Sequence, residues 1–244
     1  LYAWAVWSGF QLLMMVLYPT VIAPIFNKFT PLADESLKTR IEGLMQRVGF
    51  ASKGLFVMDG SRRSAHANAY FTGLGAAKRV VFFDTLLSRL TPGEVEAVLA
   101  HELGHFKHRH ILKMMATSFV STLLGLAVLG FASQQVWFYT GLGVMPSLTD
   151  SNNALALVLF MLVTPVFTLF LAPVSSWRSR QQEFEADAYA VSQTPGQDLS
   201  SALLKLYQDN ASTLTPDPLY VKFYYSHPPA SERLGRMQGN YAHV

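Results

Sequence analysis

The chain has 244 residues, of which half are hydrophobic and 14% are charged, with a mean hydropathy of +0.23 and a formal net charge of +3. This composition is too apolar for an ordinary soluble domain and is typical of a protein that lies partly in lipid. The absence of cysteine excludes a disulfide framework and limits a metal site to nitrogen and oxygen ligands. The sequence has no basic run with interleaved aromatic residues, so nothing in it indicates nucleic-acid binding.

Residues 1–27 contain no charged side chain and predict a transmembrane segment. About 20 apolar residues cross a bilayer, and Trp4, Trp7 and Tyr18 flank the most apolar part, as interfacial aromatic residues do. A secretory signal peptide is the alternative. It would need a basic start and a small-residue cleavage site, and neither is present.

Residues 28–110 are more polar and predict a small α+β part outside the membrane. Apolar residues at helical spacing predict an amphipathic helix over 34–48. Short runs of β-branched and aromatic residues predict strands at 55–58 and 80–83, with a third at 69–72 that Gly73 closes.

Residues 91–94 have the pattern of a helix N-terminus. Thr91 suits the N-cap, Pro92 the first helical position and Glu94 the third, which together form a capping box. Apolar residues then recur at helical spacing through residue 106. The following stretch of the chain is therefore predicted to be helical.

Within this helix, residues 101–105 read His-Glu-Leu-Gly-His. Residues four apart share a helix face, so His101 and His105 can direct imidazole nitrogens at one point, which is half of a tetrahedral zinc site. Glu102 can then reach a water molecule beside the metal and act as general base. A chance match on an amphipathic helix is the alternative.

Two apolar runs follow, at residues 111–132 and 154–177, and each is long enough to span a bilayer. The loop at 133–153, with its aromatic, glycine and proline residues, is predicted to be external. A buried helical pair in a large soluble domain is the alternative. Basic residues flank the spans only on the side of the histidine motif, so the positive-inside rule predicts that this side faces the cytoplasm. The metal helix is predicted to continue directly into the span at 111–132.

Residues 178–244 are predicted to complete the catalytic part. Glu183 and Asp187 are four apart on a predicted helix, so one can supply the third zinc ligand while the other accepts a hydrogen bond from a ligand histidine. For Glu185 a solvated acidic face with Arg178 and Arg180 as partners is favoured. Further helices are predicted at 198–208 and 230–237, with loops at the prolines between them. The remaining histidines near the motif and at the terminus are predicted to be solvated or interfacial, namely His108, His110 and His243.

Four segments in the same order resemble the membrane-integral zinc peptidases of the CAAX prenyl protease 1 and HtpX type. They are the segments 66–73 (HANAYFTG), 101–105 (HELGH), 183–187 (EFEAD) and 226–234 (SHPP, then ERL). The match is closer to the prenyl protease branch. Such proteins carry several more N-terminal spans, so the resemblance implies that this chain is the C-terminal part of a longer protein.

Residues and resemblance together predict a mainly α protein. Multi-span membrane helices would carry a small α+β zinc-metallopeptidase domain built around the HExxH helix. One Zn²⁺ would be bound by His101, His105 and Glu183, with Glu102 as base and Asp187 orienting a ligand histidine. Resemblance further implies that His227 lies near the metal and assists the reaction.

The predicted partners are the lipid bilayer and a peptide or protein substrate, which would add to an edge strand at Asn68, Ala69 and Tyr70. Membrane-protein quality control of the HtpX kind, in the inner membrane if the source is bacterial, stays open as an alternative function. So does a non-catalytic membrane scaffold that holds zinc. A metal transporter is disfavoured, because its ligands would lie within the spans.

Overall fold

The computed structural model describes residues 1–72, 78–209 and 216–239. Within these ranges the chain is mainly α, with twelve α-helices and one four-stranded sheet. Three helical segments are long and apolar enough to cross a membrane: Tyr2–Phe26, His110–Ala132 and Asn153–Gln193. The predicted fold class is confirmed. Gly73 and His243 lie outside the described residues.

The first span is helical but not uniform. Helix α1, Tyr2–Leu17, is followed by a π-helical turn, Tyr18–Ile22, and by α2, Ala23–Phe26. Pro19 lies in the π turn, where its missing N–H and its ring disturb the regular i→i−4 ladder.

The sheet has the strand order β1-β2-β4-β3. Its strands are β1 (Phe29–Pro31), β2 (Leu55–Met58), β3 (Ala69–Thr72) and β4 (Arg79–Phe83). Strands β2 and β4 are parallel, whereas β1 and β3 pair antiparallel with their neighbours, so β3 forms one edge. Three of these strands were predicted. Strand β1 was not, because three residues that end in proline carry little strand signal.

Two helices cover the sheet and form the core outside the membrane. Helix α3, Glu35–Arg47, begins at Asp34, whose carboxylate accepts the Leu37 N–H, and α5 is Pro92–Lys107. The short α4, Asp84–Arg89, leads from β4 toward α5. Side chains from both long helices and from the sheet interlock in one fully buried cluster that includes Ile41, Leu44, Val80, Phe82 and Leu99.

The metal helix does not continue directly into the second span, and that prediction was wrong. Helix α5 ends at Lys107, and α6, His110–Ala132, begins three residues later. Arg109 between them adopts a left-handed conformation with φ +55°. Since a left-handed residue cannot continue a right-handed helix, the chain changes direction at this point.

The last two spans are joined by a structured loop. Helix α6 leads to the short α7, Val136–Thr140, and then to α8, Asn153–Thr168. A small apolar cluster closes this end: Ala132, Phe138, Tyr139, Ala156 and Leu159. After a 3-10 turn at Leu169–Leu171, α9, Ala172–Gln193, follows almost without interruption.

The C-terminal helices pack around α9. They are α10 (Gly196–Asp209), α11 (Pro218–Tyr224) and α12 (Ala230–Gly239), and all three contact α9, as does α5. The segment of α11 was predicted as a loop, which was wrong. Asp217 is its N-cap and accepts the Leu219 and Tyr220 N–H groups, and Pro218 occupies the first helical position, where proline suits a helix.

Candidate metal centre and active site

The two histidines of α5 point at one place. The capping box that starts the helix is present as predicted, with Thr91 accepting the Glu94 N–H and Glu94 accepting the Thr91 N–H. From this start, His101 and His105 fall on the same face, and their Nε2 atoms lie 3.2 Å apart. The sequence spacing thus brings two candidate metal-ligand nitrogens together.

Helix α9 adds a carboxylate to the pair. Glu183 Oε2 lies 3.6 Å from His101 Nε2, and Glu183 Oε1 lies 3.4 Å from His105 Nε2. A tetrahedral zinc ion with ligand distances of about 2.0–2.1 Å separates neighbouring ligand atoms by about 3.3 Å. The donor set of His101, His105 and Glu183 therefore fits a zinc ion in both chemistry and spacing.

Asp187, one turn further along α9, contacts the outer nitrogen of His101. Its Oδ1 lies 2.9 Å from His101 Nδ1. Arg233 from α12 donates to the same carboxylate at 2.6 and 2.8 Å. All three side chains are buried, so the carboxylate is held by a charge-assisted pair with little freedom to move.

Glu102 lies beside the donor set and is partly buried. Burial raises the pKa of its carboxyl above the ordinary 4.5, although the nearby His101 and His105 act in the opposite direction. A carboxylate with a raised pKa is a better proton acceptor near neutral pH than an ordinary one.

His227 reaches the same site from the loop before α12. Its Nδ1 lies 3.0 Å from Glu183 Oε2, and this contact raises the pKa of His227 above 6.5. The loop is held on both sides. Tyr207 donates its hydroxyl to the Pro228 carbonyl at 3.0 Å, and Arg180 donates to the Val221 and Tyr225 carbonyls at 2.9 Å each.

The predicted substrate strand is at the sheet edge and contacts α5. The Asn68 carbonyl accepts the Phe83 N–H at 2.9 Å, so Asn68 faces β4. Successive residues of a strand alternate in direction. The backbone N–H and C=O groups of Tyr70 therefore also face β4, whereas those of Ala69 and Phe71 point toward the open edge. Asn68 Oδ1 accepts the Ala69 N–H at 2.8 Å.

Several residues near the site have contacts that differ from the sequence expectations. His110 is buried and not solvated, and its Nε2 lies 2.9 Å from Glu185 Oε2. Glu185 thus pairs with histidine, whereas the expected partners bind elsewhere: Arg178 donates to Thr117, and Arg180 to backbone carbonyls.

Arg233 and Arg180 were missed as parts of the site. Arg233 is the arginine of the Glu-Arg-Leu part of the resembling segment 226–234, so its place in that motif was the available signal. Nothing in the sequence pattern distinguishes Arg180 from an ordinary solvated arginine of a helix.

Comparison with known proteins identifies the family. Residues 31–240 match peptidase family M48, and residues 1–28 match the family described as CAAX prenyl protease N-terminal, five membrane helices. CAAX prenyl protease 1 of Saccharomyces cerevisiae is 42% identical over 92% of this chain and 52% of its own length. The Arabidopsis thaliana homolog is 39% identical over 98% of this chain and 56% of its own length.

A solved structure agrees with the sequence matches. The crystal structure of S. mikatae Ste24p has a TM-score of 0.87 and 40% identity to this chain, and covers 97% of this chain and 58% of that one. The chain thus spans somewhat more than half the length of the relatives that it matches. The chain belongs to peptidase family M48, a family of metallopeptidases, and its resemblance to the membrane-integral CAAX prenyl protease members is confirmed.

Proposed function

We propose that this chain is the catalytic part of an integral-membrane zinc endopeptidase that cleaves peptides or proteins at the membrane surface. The observation that carries the proposal is the close approach of three side chains: His101 Nε2 and His105 Nε2 lie 3.2 Å apart, and each lies 3.4–3.6 Å from one oxygen of the Glu183 carboxylate. A structural zinc site usually has four protein ligands, whereas three leave a position open for water and substrate.

Zinc bound by these three residues would act as a Lewis acid that lowers the pKa of a water molecule toward 7 and polarises the scissile carbonyl. Glu102 would take the proton of that water as it attacks, and would pass it to the leaving amine. A non-catalytic scaffold has no need of this base, which favours the enzymatic role.

Two residues would support the reaction without taking part in the proton transfer. Asp187 would accept the Nδ1–H of His101 and so keep its Nε2 free for the metal. His227 would donate a hydrogen bond to the oxyanion that forms on the substrate carbonyl. Its position within 3.0 Å of Glu183 supports this assignment.

The substrate would bind as an added strand on β3. Main-chain groups of Ala69 and Phe71 face the open edge and would bond the substrate backbone, which aligns the scissile bond while reading little sequence. The Asn68 side chain accepts a hydrogen bond from the Ala69 N–H, and it would exchange this bond for one to the substrate. Tyr70 would pack beneath the strand, where its hydroxyl approaches the Met58 sulfur.

The relatives' names point to substrates that end in a prenylated CAAX sequence, and the membrane context suits a lipid-modified peptide. The direct test is to incubate the protein, expressed with its complete natural sequence in vesicles, with a farnesylated CAAX peptide, its unprenylated twin and an unfolded membrane-tethered reporter. We expect chelator-sensitive cleavage of the farnesylated peptide.

Each other outcome of this experiment has a distinct meaning. Cleavage of the unfolded reporter alone would favour membrane-protein quality control of the HtpX kind. No cleavage of any substrate by zinc-loaded protein would contradict the enzymatic proposal and favour the scaffold.

We also propose that the catalytic side faces the cytoplasm, because basic residues flank the spans only on that side. The chain has no cysteine, so an introduced cysteine is unique within it. In sealed cells, a membrane-impermeant maleimide should label Asp150→Cys in the opposite loop and spare Glu42→Cys on α3. Permeabilised cells should label both. The reverse pattern in sealed cells would contradict this orientation.

A further inference from the structure

Three side chains form a hydrogen-bonded row that leads away from the donor set. His105 Nδ1 lies 2.9 Å from His110 Nδ1, and His110 Nε2 lies 2.9 Å from Glu185 Oε2. His110 is 3% exposed, whereas Glu185 is exposed to solvent. The row therefore runs from a residue of the proposed metal site, through a buried imidazole, to a carboxylate at the surface.

The proton positions along this row follow from one condition. If His105 uses Nε2 to bind a metal, its proton must be on Nδ1, because neutral imidazole has one N–H group. His105 Nδ1–H then donates to His110 Nδ1, which must be unprotonated. The proton of His110 is consequently on Nε2, where it donates to Glu185. Each hydrogen bond in the row thus has one donor and one acceptor.

The left-handed turn at Arg109 makes this row possible. On an uninterrupted helix His110 would lie about 140° around the axis from His105, because each residue advances by about 100°. The turn instead returns the chain so that the first residue of α6 faces His105. A left-handed conformation is strained for a residue other than glycine, so the surrounding contacts must stabilise this path.

A second metal ion is the competing interpretation. One donor atom each from His108, His110 and Glu185 lie within 4.8 Å of one another. Such an ion would need the Nε2 lone pair of His110, while His110 Nδ1 already accepts the hydrogen bond from His105. Neutral imidazole has a single free lone pair, so the ion would have to break the His105–His110 bond. The hydrogen bonds of the row therefore leave no free lone pair on His110 for a second ion.

We propose that His110 and Glu185 are positioning residues for the metal-binding form of His105. His110 holds the ring of His105 by accepting its Nδ1–H, and Glu185 fixes the tautomer of His110. The inference rests on the proposed metal site. It gives His105 a counterpart to the Asp187 contact of His101, with the difference that the carboxylate acts through an intervening imidazole.

The test measures zinc affinity of the detergent-purified, complete protein by competition with a chromophoric chelator. Loss of an outer hydrogen bond to a metal-binding histidine typically weakens metal binding by about 10–100-fold. We expect His110→Leu to lose affinity in this range and Glu185→Ala to lose less. His110→Asn places an amide oxygen near the former Nδ1 position and should recover part of the loss.

His108→Ala is the matched control, because it removes a neighbouring imidazole that stacks on His110 without being in the row. Its zinc affinity should equal that of the wild type. The visible spectrum of the Co²⁺-substituted protein is a second readout, since it reports ligand geometry and the proposed ligand set contains no thiolate. It should change in His110→Leu and return toward the wild type in His110→Asn.

The outcomes separate this inference from the function on which it rests. Unchanged affinity and spectrum in His110→Leu, or equal losses in His110→Leu and His110→Asn, would overturn the positioning role. Two bound ions that fall to one in His108→Ala would overturn it in favour of a second metal site. Wild-type zinc affinity in His101→Ala would instead contradict the proposed metal site itself.

Discussion

The carboxylate of Glu102 is proposed as a proton acceptor and not as a metal ligand. Glu102→Gln keeps the size of the side chain and removes only its basicity. We expect the variant to retain one zinc per chain and to lose activity by a factor of about 10²–10⁴, the usual contribution of general acid–base catalysis. Metal analysis and the peptide assay on one preparation check this, with His105→Ala as the control that loses zinc.

The role of His227 is separable from metal binding. His227→Ala should lower kcat by about 10²–10³, the cost of losing one oxyanion donor, and should leave zinc content and KM nearly unchanged. His227→Gln keeps an N–H donor and should recover part of the rate. A zinc-free His227→Ala protein would make this histidine a ligand, and a normal rate would remove it from the mechanism.

How far the site could be predicted depends on how local each contact is. His101, Glu102 and His105 follow from spacing along one helix. Predicting Glu183 and Asp187 required a second helix and a family resemblance, because Glu183 lies 78 positions after His105 in the sequence. The contact of His110 could not be predicted, since it depends on the left-handed turn at Arg109, for which arginine carries no sequence signal.

At the scale of elements, the close approach of α5 and α9 positions the side chains of the proposed metal site. A Cβ atom added to Gly104 would lie 2.8 Å from the Ala186 Cα and 3.0 Å from the Ala186 carbonyl oxygen. Backbone atoms cannot yield as a side chain can. Gly104→Ala should therefore force the helices apart, displace Glu183 from the histidines and weaken zinc binding at least tenfold.

Gly43→Ala on α3 is the matched control for that change. Its added Cβ meets only the end of the Arg47 side chain at 3.8 Å. Since alanine favours a helix over glycine by about 1 kcal/mol, this variant should be slightly more stable than the wild type and bind zinc normally. Normal zinc affinity in Gly104→Ala would contradict the proposed importance of the close approach.

Glu94 links the start of α5 to α10. Burial raises the pKa of its carboxyl, but hydrogen bonds from Lys205 and Ser201, at 2.7 and 2.5 Å, outweigh this and lower the pKa from 4.5 to about 2. A lowered folded-state pKa gives stability that is complete above about pH 4.5 and is lost as the pH falls toward 2.

Glu94→Gln should consequently cost about 1–2 kcal/mol at pH 6, after allowance for solvent screening of the partly exposed Lys205. It should also flatten the pH dependence of stability between pH 4.5 and 2. Denaturant unfolding of the chelator-treated protein checks both effects without interference from metal loss. An equal acid-induced loss in variant and wild type would assign that loss to other groups.

Element prediction succeeded where the apolar pattern was distinct. Helix α3 and strands β2 and β3 lie where their apolar spacing predicts them, within one residue at each end. Helix α4 and strand β1 were missed, because neither has a distinct apolar pattern and both depend on the surfaces on which they pack. Helix α11 could have been found, since Asp217 and Pro218 form a recognisable helix start.

For the whole molecule, the three spans were the easiest feature to predict. Lipid provides no hydrogen bonds to the backbone, so a long apolar run must be helical in it. It was harder to predict whether consecutive helices are continuous. The chain turns sharply between α5 and α6, yet α8 leads into α9 through a single 3-10 turn. Hydropathy alone does not distinguish these two kinds of junction.

Because α8 leads into α9 almost without interruption, a change of tilt at their junction would displace the far end of α9. At about 1.5 Å per residue, Glu183 lies about 18 Å from the 3-10 turn at Leu169–Leu171, so a 10° change of tilt at that turn would move its carboxylate by about 3 Å. Such a shift would separate it from the histidines of α5.

Hydrophobic mismatch changes helix tilt, so bilayer thickness should act directly on the metal site. In vesicles of graded acyl-chain length, zinc affinity and cleavage rate should rise and fall together around one optimal thickness. A rate that varied while zinc affinity stayed constant would place the effect of thickness elsewhere. The thickness of the surrounding bilayer would thus determine in which membranes the protein can hold its metal, and therefore in which membranes it is active.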